Sequence, residues 1–445
     1  MSEHSLFRSV LSGSAVVATA KVSGVGLLFL MHVVLARLLP DSDQYGYVVW
    51  ALSLAQVLSV VAVLGMSQTT LRFASRYVAR GQWELYGCLV KIATKVVLAT
   101  GVLIAAFLTC WFLVAGSRYG STPKDQVSLI VALTIPLLAL GDLNGRIAQA
   151  RHWYVLSFLP ERVLRPLFVM AGYGLAYLVS GRAFDAMFAA WVIFFSAIGW
   201  VSLQAILVAM RGDPVRGAGS CDTAVADIAT ESRAWRQASV PFFVVGVMSI
   251  AMHYGDILML GLLSNAAETG AYFAANRLAQ LVSLPLFIVG GVLAPRFSEF
   301  ETKGERGRLQ LAATMGAHLS LWPTLGIAML MLSLPELFLG LFGTEYAGAN
   351  AVLAVLVIGH VFNVATGLGA VLLNMTGNQR LSAYLLGIAL LLNLVLNFSL
   401  IPRYGAFGAG VANAVCFALL NAGAYLFVRR RLKMDSSVLA SMRRT

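Results

Sequence analysis

Long apolar stretches recur from one end of this chain to the other, and no other feature limits its fold so severely. About 20 such residues in helix cross the ~30 Å hydrocarbon core of a bilayer. Only helices and closed barrels satisfy every backbone polar group there. Barrel strands alternate apolar with polar residues, and these runs do not. The fold class is therefore all-α and polytopic. Of 445 residues, 59% are apolar and 12% charged, against roughly 25% charged for an ordinary soluble domain. With a mean hydropathy of +0.80, a soluble fold has no interior large enough to hide this apolar surface.

Apolar windows and breaker residues place spans near 15–37, 45–66, 91–115, 127–149, 158–180 and 184–210 in the first half. In the second half they fall near 238–263, 271–294, 312–335, 347–373, 380–401 and 406–428, twelve in all. The first run, Ser14 to Leu39, is too long for a signal-peptide core and carries Lys21 rather than a small-residue cleavage site, so it reads as a retained helix. Cations then alternate by side. Arg72, Arg76 and Arg80, then Arg151 and Arg162, Arg211 to Arg236, Arg296 to Arg308 and the run Arg429 to Arg431 all fall on one set of connections. Lys and Arg are retained on the cytoplasmic face, which places both termini inside. The net charge of +12 follows from this orientation. No basic domain with interleaved aromatics exists to bind nucleic acid. Trp50, Trp83, Trp111 and Trp153, near span ends, read as interfacial anchors.

The domain plan is an N-terminal six-helix lobe at 1–210, a polar cytoplasmic linker at 211–237, a C-terminal six-helix lobe at 238–433 and a cytoplasmic tail at 434–445. An internal repeat supports it. A shift of 224 positions superposes Leu38-Leu39, Gly46, Ala51, Leu54-Ala55-Gln56, Ser59 and Arg72-Phe73 on Leu262-Leu263, Gly270, Ala275, Leu278-Ala279-Gln280, Ser283 and Arg296-Phe297 without a gap. Arg72 and Arg296 each close the helix after the repeated glycine. Six spans per half in the same orientation means parallel repeats about an axis along the membrane normal, with a substrate path expected between them.

Several phrases then carry a resemblance. Leu35-Ala-Arg-Leu-Leu-Pro40, Tyr45-Gly-Tyr47, Leu64-Gly65-Met66 and Leu71-Arg72-Phe73 open the chain. Asp256-Ile-Leu-Met-Leu-Gly261, Gly270-Ala-Tyr272, Leu341-Phe-Gly-Thr-Glu-Tyr346, Ile401-Pro-Arg-Tyr-Gly405 and Gly408-Ala-Gly410 follow in the second half. Together these resemble the polysaccharide transporters of the multidrug/oligosaccharidyl-lipid/polysaccharide exporter superfamily, the Wzx-type oligosaccharide flippases. The resemblance implies a V-shaped pair of six-helix bundles around a central cavity. It also implies a lipid diphosphate-linked oligosaccharide carried from the cytoplasmic to the periplasmic leaflet of a bacterial inner membrane.

A diphosphate and many hydroxyls have to cross an apolar layer, and a wet cationic cavity solves that problem. Ionisable residues inside a span are functional candidates by default. Lys21 in the first span and Arg277 in the eighth are the candidate phosphate ligands, with Asn276 adding an amide. Asp256 in the seventh span is expected to pair with Arg277 or Lys21. His253, three residues earlier, shares its helical face, so His253 and Asp256 are candidates for coupling or gating. Arg162 and Arg165 are placed at the cytoplasmic mouth, attracting an anionic headgroup or anchoring their helix. The asparagines of spans ten to twelve read mostly as interhelical hydrogen-bonding groups.

Cys88, Cys110, Cys221 and Cys416 are scattered without metal-ligand spacing, and suggest neither a metal site nor a disulfide framework. Nucleophile-elbow, zincin and P-loop motifs are absent, so an enzyme with a cofactor is not indicated. The expected activity is lipid-linked oligosaccharide translocation by alternating access, with proton or sodium as the candidate coupling ion. Polymerases and glycosyltransferases of the same pathway are the expected partners besides membrane lipids. A cation-coupled multidrug exporter of the same superfamily and a membrane-embedded polysaccharide polymerase or ligase are the alternatives.

Overall fold

A computed structural model gives residues 23–120, 122–182, 184–211 and 225–438 in describable form. With no water in a bilayer core, each apolar run closes its own backbone bonds, and among these residues every regular element is helical. The helices are α1 (Ser23–Leu38), α2 (Ser42–Val63), α3 (Met66–Arg80), α4 (Trp83–Tyr119), α5 (Pro123–Ala132), α6 (Ile135–Ala150), α7 (Tyr154–Leu159), α8 (Arg165–Ser180) and α9 (Ala186–Met210). They continue as α10 (Val225–Leu263), α11 (Ala266–Val282), α12 (Leu284–Thr302), α13 (Arg306–Ser333), α14 (Pro335–Leu339), α15 (Asn350–Ala365), α16 (Gly369–Met375) and α17 (Gln379–Phe427).

Among the described residues, nine helices are long and apolar enough to cross a membrane, or ten if α11 and α12, bent by 49°, count as one span. α1 is a shorter apolar helix, and the segment Gln379–Leu432 holds two of the expected spans in one. Every expected span thus has its helix. In α17 the two are divided at Gly405, whose φ of 53° and ψ of −132° are not helical. A Cβ there would lie on the Glu268 carboxylate, which instead accepts from Ala406 N at 2.8 Å and starts the second half of the helix. Arg72 closes no span; it lies within α3, a separate helix with Phe73 and Tyr77 buried and Arg72 exposed.

By internal contacts the chain forms two units, one comprising residues up to Pro40 with Tyr47–Ile250, the other Asp41–Gly46 with the chain from Ala251 on. The expected linker is therefore not wholly irregular: from Val225 it is helical and continues without a break into the seventh span. In the first unit it is fastened to α3. Arg76 Nη2 meets both Glu231 oxygens at 2.9 and 2.7 Å, Tyr77 Oη donates to Glu231 at 2.7 Å, and Trp235 Nε1 donates to Tyr77 Oη at 2.9 Å. Burial and then the Glu231 bond push the Tyr77 phenol above its ordinary range, so it remains a donor. Pro160, at the junction of α7 with a π turn at Pro160–Leu164, lacks the N–H that would bond Leu156 O. The side chain of Gln204 in α9 supplies that bond at 3.2 Å. Trp50 is not an interfacial anchor, because it is buried with the Lys124 ammonium 3.9 Å over its ring.

The second unit shows why the repeated residues repeat. Asp41 and Asn265, 224 positions apart, cap α2 and α11 by accepting from Gln44 N and Glu268 N, both at 2.8 Å. Gly46 and Gly270 mark where those helix starts touch. A Cβ on Gly46 would lie 1.9 Å from Ala266 O, and one on Gly270 3.1 Å from Ser42 O. Residues 46 and 266 are in contact, and so are their equivalents 270 and 42. Tyr45, fully buried, packs within 6.4 Å of Phe273, Phe342 and Tyr346 by ring centroids. A further repeated pair, absent from the sequence comparison above, lies in α4 and α13. Thr100 Oγ1 donates to Ala62 O near the end of α2, and Thr324 Oγ1 to Val282 O at the end of α11.

Part of the expected tail belongs to this unit. Met434 joins a core with Phe297, Leu309 and Leu372. Gln310 brackets Asp435, donating to its carbonyl at 2.6 Å and accepting from its N–H at 2.9 Å. Residues 439–445 lie outside the described set. Cys88 is disulfide-bonded, although the cysteine spacing suggested no disulfide framework, whereas Cys110 and Cys416 are free thiols.

Candidate functional site

Lys21, the first candidate phosphate ligand, lies outside the described residues. Asp256 does not pair with Arg277. Its carboxylate, 1% exposed, is enclosed by four neutral donors: Tyr272 Oη at 2.8 Å and Asn413 Nδ2 at 2.6 Å on Oδ2, Asn393 Nδ2 at 2.9 Å and Asn397 Nδ2 at 2.6 Å on Oδ1. Asn393 and Asn397 sit one turn apart and point the same way. Asn397 also donates to Asn393 Oδ1 at 3.0 Å. Through these four bonds two helices, α11 and α17, are tied to α10 at one buried carboxyl group. Asn397 Oδ1 is buried beside it with no partner among the described residues.

His253 does not share that environment. It is exposed while Asp256 is buried, and its ring lies 6.4 Å from that of Tyr254. His360 instead is buried, with Nδ1 2.8 Å from Ser283 Oγ.

Arg277 stands eleven residues into α11, about 16 Å from its start at 1.5 Å per residue. The guanidinium is stacked on Phe273 at 4.6 Å and donates from Nη1 to Gln280 Oε1 at 3.1 Å. Its Nε is buried with no partner, and no carboxylate pairs with it, among the described residues. Asn276, buried one position earlier, is held by the same glutamine, whose Nε2 donates to Asn276 Oδ1 at 3.4 Å.

In the first unit Arg162 and Arg165 flank the end of the π turn. Arg162 lies against Gly24 of α1, where a Cβ would come within 2.7 Å of its own Cβ, and its Nε has no partner among the described residues. Arg165 reaches α2: the Gln56 amide, oriented to satisfy both groups, accepts from Arg165 Nη1 at 2.8 Å and Nη2 at 3.0 Å. Gln56 is seven residues from the end of α2, about 10 Å along the helix from it. Sequence reasoning recorded Gln56 and Gln280 as repeated residues without assigning them to a site. Among the described residues, no group of three or more His, Cys, Asp or Glu is arranged to hold a metal ion.

The sequence pattern of the family described as "Polysaccharide biosynthesis protein" matches residues 10–301, well over half of the chain. The chain belongs to that family. A second pattern, MatE, matches residues 241–399. Curated relatives include "Uncharacterized membrane protein MJ1068" of Methanocaldococcus jannaschii, 29% identical over 39% of this chain and 36% of the relative. Another is "Probable low-salt glycan biosynthesis flippase Agl15" of Haloferax volcanii, 28% identical over 37% of this chain and 35% of the relative. The matched stretches thus span about a third of those proteins. Among solved structures, an inward-facing multidrug resistance MATE family transporter of the MOP superfamily superposes with a TM-score of 0.74 at 11% identity, covering 91% of this chain and 94% of that one. The lipid II flippase MurJ, in an inward closed conformation, gives 0.69 at 13% identity over 94% and 88%. These likenesses establish the fold of that superfamily.

Proposed function

We propose that this polysaccharide biosynthesis family member is a flippase that translocates a polyprenyl-diphosphate-linked oligosaccharide from the cytoplasmic to the periplasmic leaflet of a bacterial inner membrane by alternating access. The observation that carries this reading is Arg277. It is a guanidinium in an apolar helix, held by an amide and an aromatic face and by no carboxylate among the described residues. A fixed positive charge suits a phosphate-bearing cargo, whereas cationic drugs would need an anionic lining. Lys21 joins Arg277 as a phosphate ligand, and Asn276 contacts the headgroup. Arg162 and Arg165 receive it in the first unit.

The substrate crosses without covalent change, so the protein is a transporter and no cofactor takes part. A polymerase or ligase reading would require a large catalytic loop outside the membrane. The described connections there, such as the two residues between α10 and α11, are too short for one. Both termini lie in the cytoplasm, and polymerases and glycosyltransferases of the same pathway are the partners. Asp256 serves as the coupling group, taking a proton or sodium ion; the unsatisfied Asn397 Oδ1 beside the carboxylate supports a cation there.

The experiment is glycan export in cells whose own copy is deleted. Lys21→Ala with Arg277→Ala abolishes export while leaving membrane-inserted protein at normal level. Normal export by that double variant refutes the reading.

A further inference from the structure

We propose that Lys91 and Lys95 of α4 form a headgroup clamp for an anionic phospholipid of the cytoplasmic leaflet, whose acyl chains lie along the exposed apolar face of the same helix. α4 runs for 37 residues, about 55 Å at 1.5 Å per residue, well beyond a hydrocarbon core of about 30 Å. No charged residue occurs between Lys95 and Arg118, and that stretch alone, about 34 Å long, fills the core. Lys95 then stands at the edge of the apolar layer, with Lys91 one turn further out at headgroup depth. The arginines of α3, just before it in the chain, assign this edge to the cytoplasm under the orientation proposed above.

Both lysines are exposed, and neither has an ion-pair or hydrogen-bond partner among the described residues. Four positions apart on one helix they are neighbours, and like charges so placed repel. The carboxylate on the same face, Glu84, stands two turns before Lys91, about 10 Å away along the axis. A phosphate set between the two ammonium groups removes the repulsion and accepts from both. Beyond the lysines the face continues as an apolar stripe. At about 100° per residue Lys91, Lys95, Val102, Ala106 and Leu113 fall within about 60° of one another. Val102 and Leu113 are 54% and 59% exposed, and Ala106 is exposed between them. α4 packs on α3, α5 and α6 by its other side, so no described element of the first unit covers this one. From Lys95 the stripe reaches Val102 in about 10 Å and Leu113 in about 27 Å, more than the depth of one leaflet. Two cations at the surface end of an apolar strip match the layout of a phospholipid, phosphate outside and chains inside. A zwitterionic lipid carries its own cation beside the phosphate and gains less from the lysines, so the pair selects a headgroup of net negative charge.

The test is native mass spectrometry of the full chain, released from detergent with phosphatidylglycerol or phosphatidylcholine of identical acyl chains. Wild type is expected to retain phosphatidylglycerol in preference; no preference overturns the clamp. Lys91→Gln with Lys95→Gln keeps most of each stem and removes the charge. It should weaken phosphatidylglycerol binding by about tenfold, equivalent to about 1.4 kcal/mol, and leave phosphatidylcholine binding and the lipid-free melting temperature unchanged. Arg118→Gln, at the other end of the uncharged stretch, should bind phosphatidylglycerol as wild type does. Loss of both lipids together, equal weakening by the Arg118 variant, or full phosphatidylglycerol binding in the double variant overturns the proposal. Should the double variant fail to insert, the two single variants decide: selective weakening of phosphatidylglycerol in either supports the clamp, and wild-type binding in both overturns it. Displacement of phosphatidylglycerol by inorganic phosphate overturns it as well, because the ligand would then be a free anion. Tighter binding of farnesyl diphosphate than of phosphatidylglycerol, lost in the double variant, gives the face to a prenyl diphosphate and overturns the phospholipid. All of these outcomes leave the flippase reading as it stands.

Discussion

Asp256 shows how far a single residue was legible. Its cost inside a membrane marked it as important from the sequence alone, but its partners were misassigned, because charge complementarity suggests a cation and the structure supplies amides. The three asparagines that bond it lie 137 to 157 positions away, among others in the same spans with no sequence mark to set them apart. Deleting the carboxylate leaves four donors aimed at an empty centre. Asp256→Ala is therefore expected to destabilise the protein by on the order of 3 kcal/mol or more, read as a lowered melting temperature in detergent. Asp256→Asn, which retains one acceptor oxygen, should fall between that variant and wild type. An unchanged melting temperature for Asp256→Ala would show that the donors find other partners.

At the scale of elements, the sequence located the helices well and their interruptions less well. Apolar length alone identifies a span, whereas α3 is an amphipathic helix whose buried face, Met66, Thr70, Phe73 and Tyr77, is too mixed in character to stand out from the neighbouring spans. The repeated glycines were the most faithful signal, because they record backbone contact. Gly46 meets the Ala266 carbonyl with no room for a Cβ. Gly46→Ala should cost about 1–3 kcal/mol through overpacking and lower the melting temperature. By contrast Gly174, with open space where a Cβ would go, should tolerate alanine. Equal behaviour of the two variants would contradict the packing described. The threonine pair Thr100 and Thr324 escaped notice for the opposite reason. Its function is a bond to a helix-end carbonyl, which constrains one hydroxyl and nothing around it.

For the whole molecule, the alternation of cationic and cation-poor connections predicts which side each loop occupies. Fusing a fluorescent reporter that folds only in the cytoplasm after the last residue should give bright cells, and a phosphatase active only in the periplasm should be inactive there. Introducing a cysteine at Glu336, in the helix that follows α13, should create a site labelled by a membrane-impermeant thiol reagent from outside. Labelling only after the membrane is broken would reverse the orientation. The plan of two homologous halves was readable because duplicated helices retain their caps and contact glycines. The division into packed units was not, because it depends on which surfaces meet: it assigns the first turn of α2 to the second unit and carries the first unit well into α10.

That assignment bears on how the protein is made. Asp41 to Gly46 leave the ribosome long before Ala266, Phe273 and Tyr346, the groups they rest against. Tyr45 and its neighbours must therefore wait beside the insertion machinery, their aromatic face uncovered, until the later helices arrive. Cutting the gene between its halves and expressing the pieces separately would strand this turn on the wrong fragment.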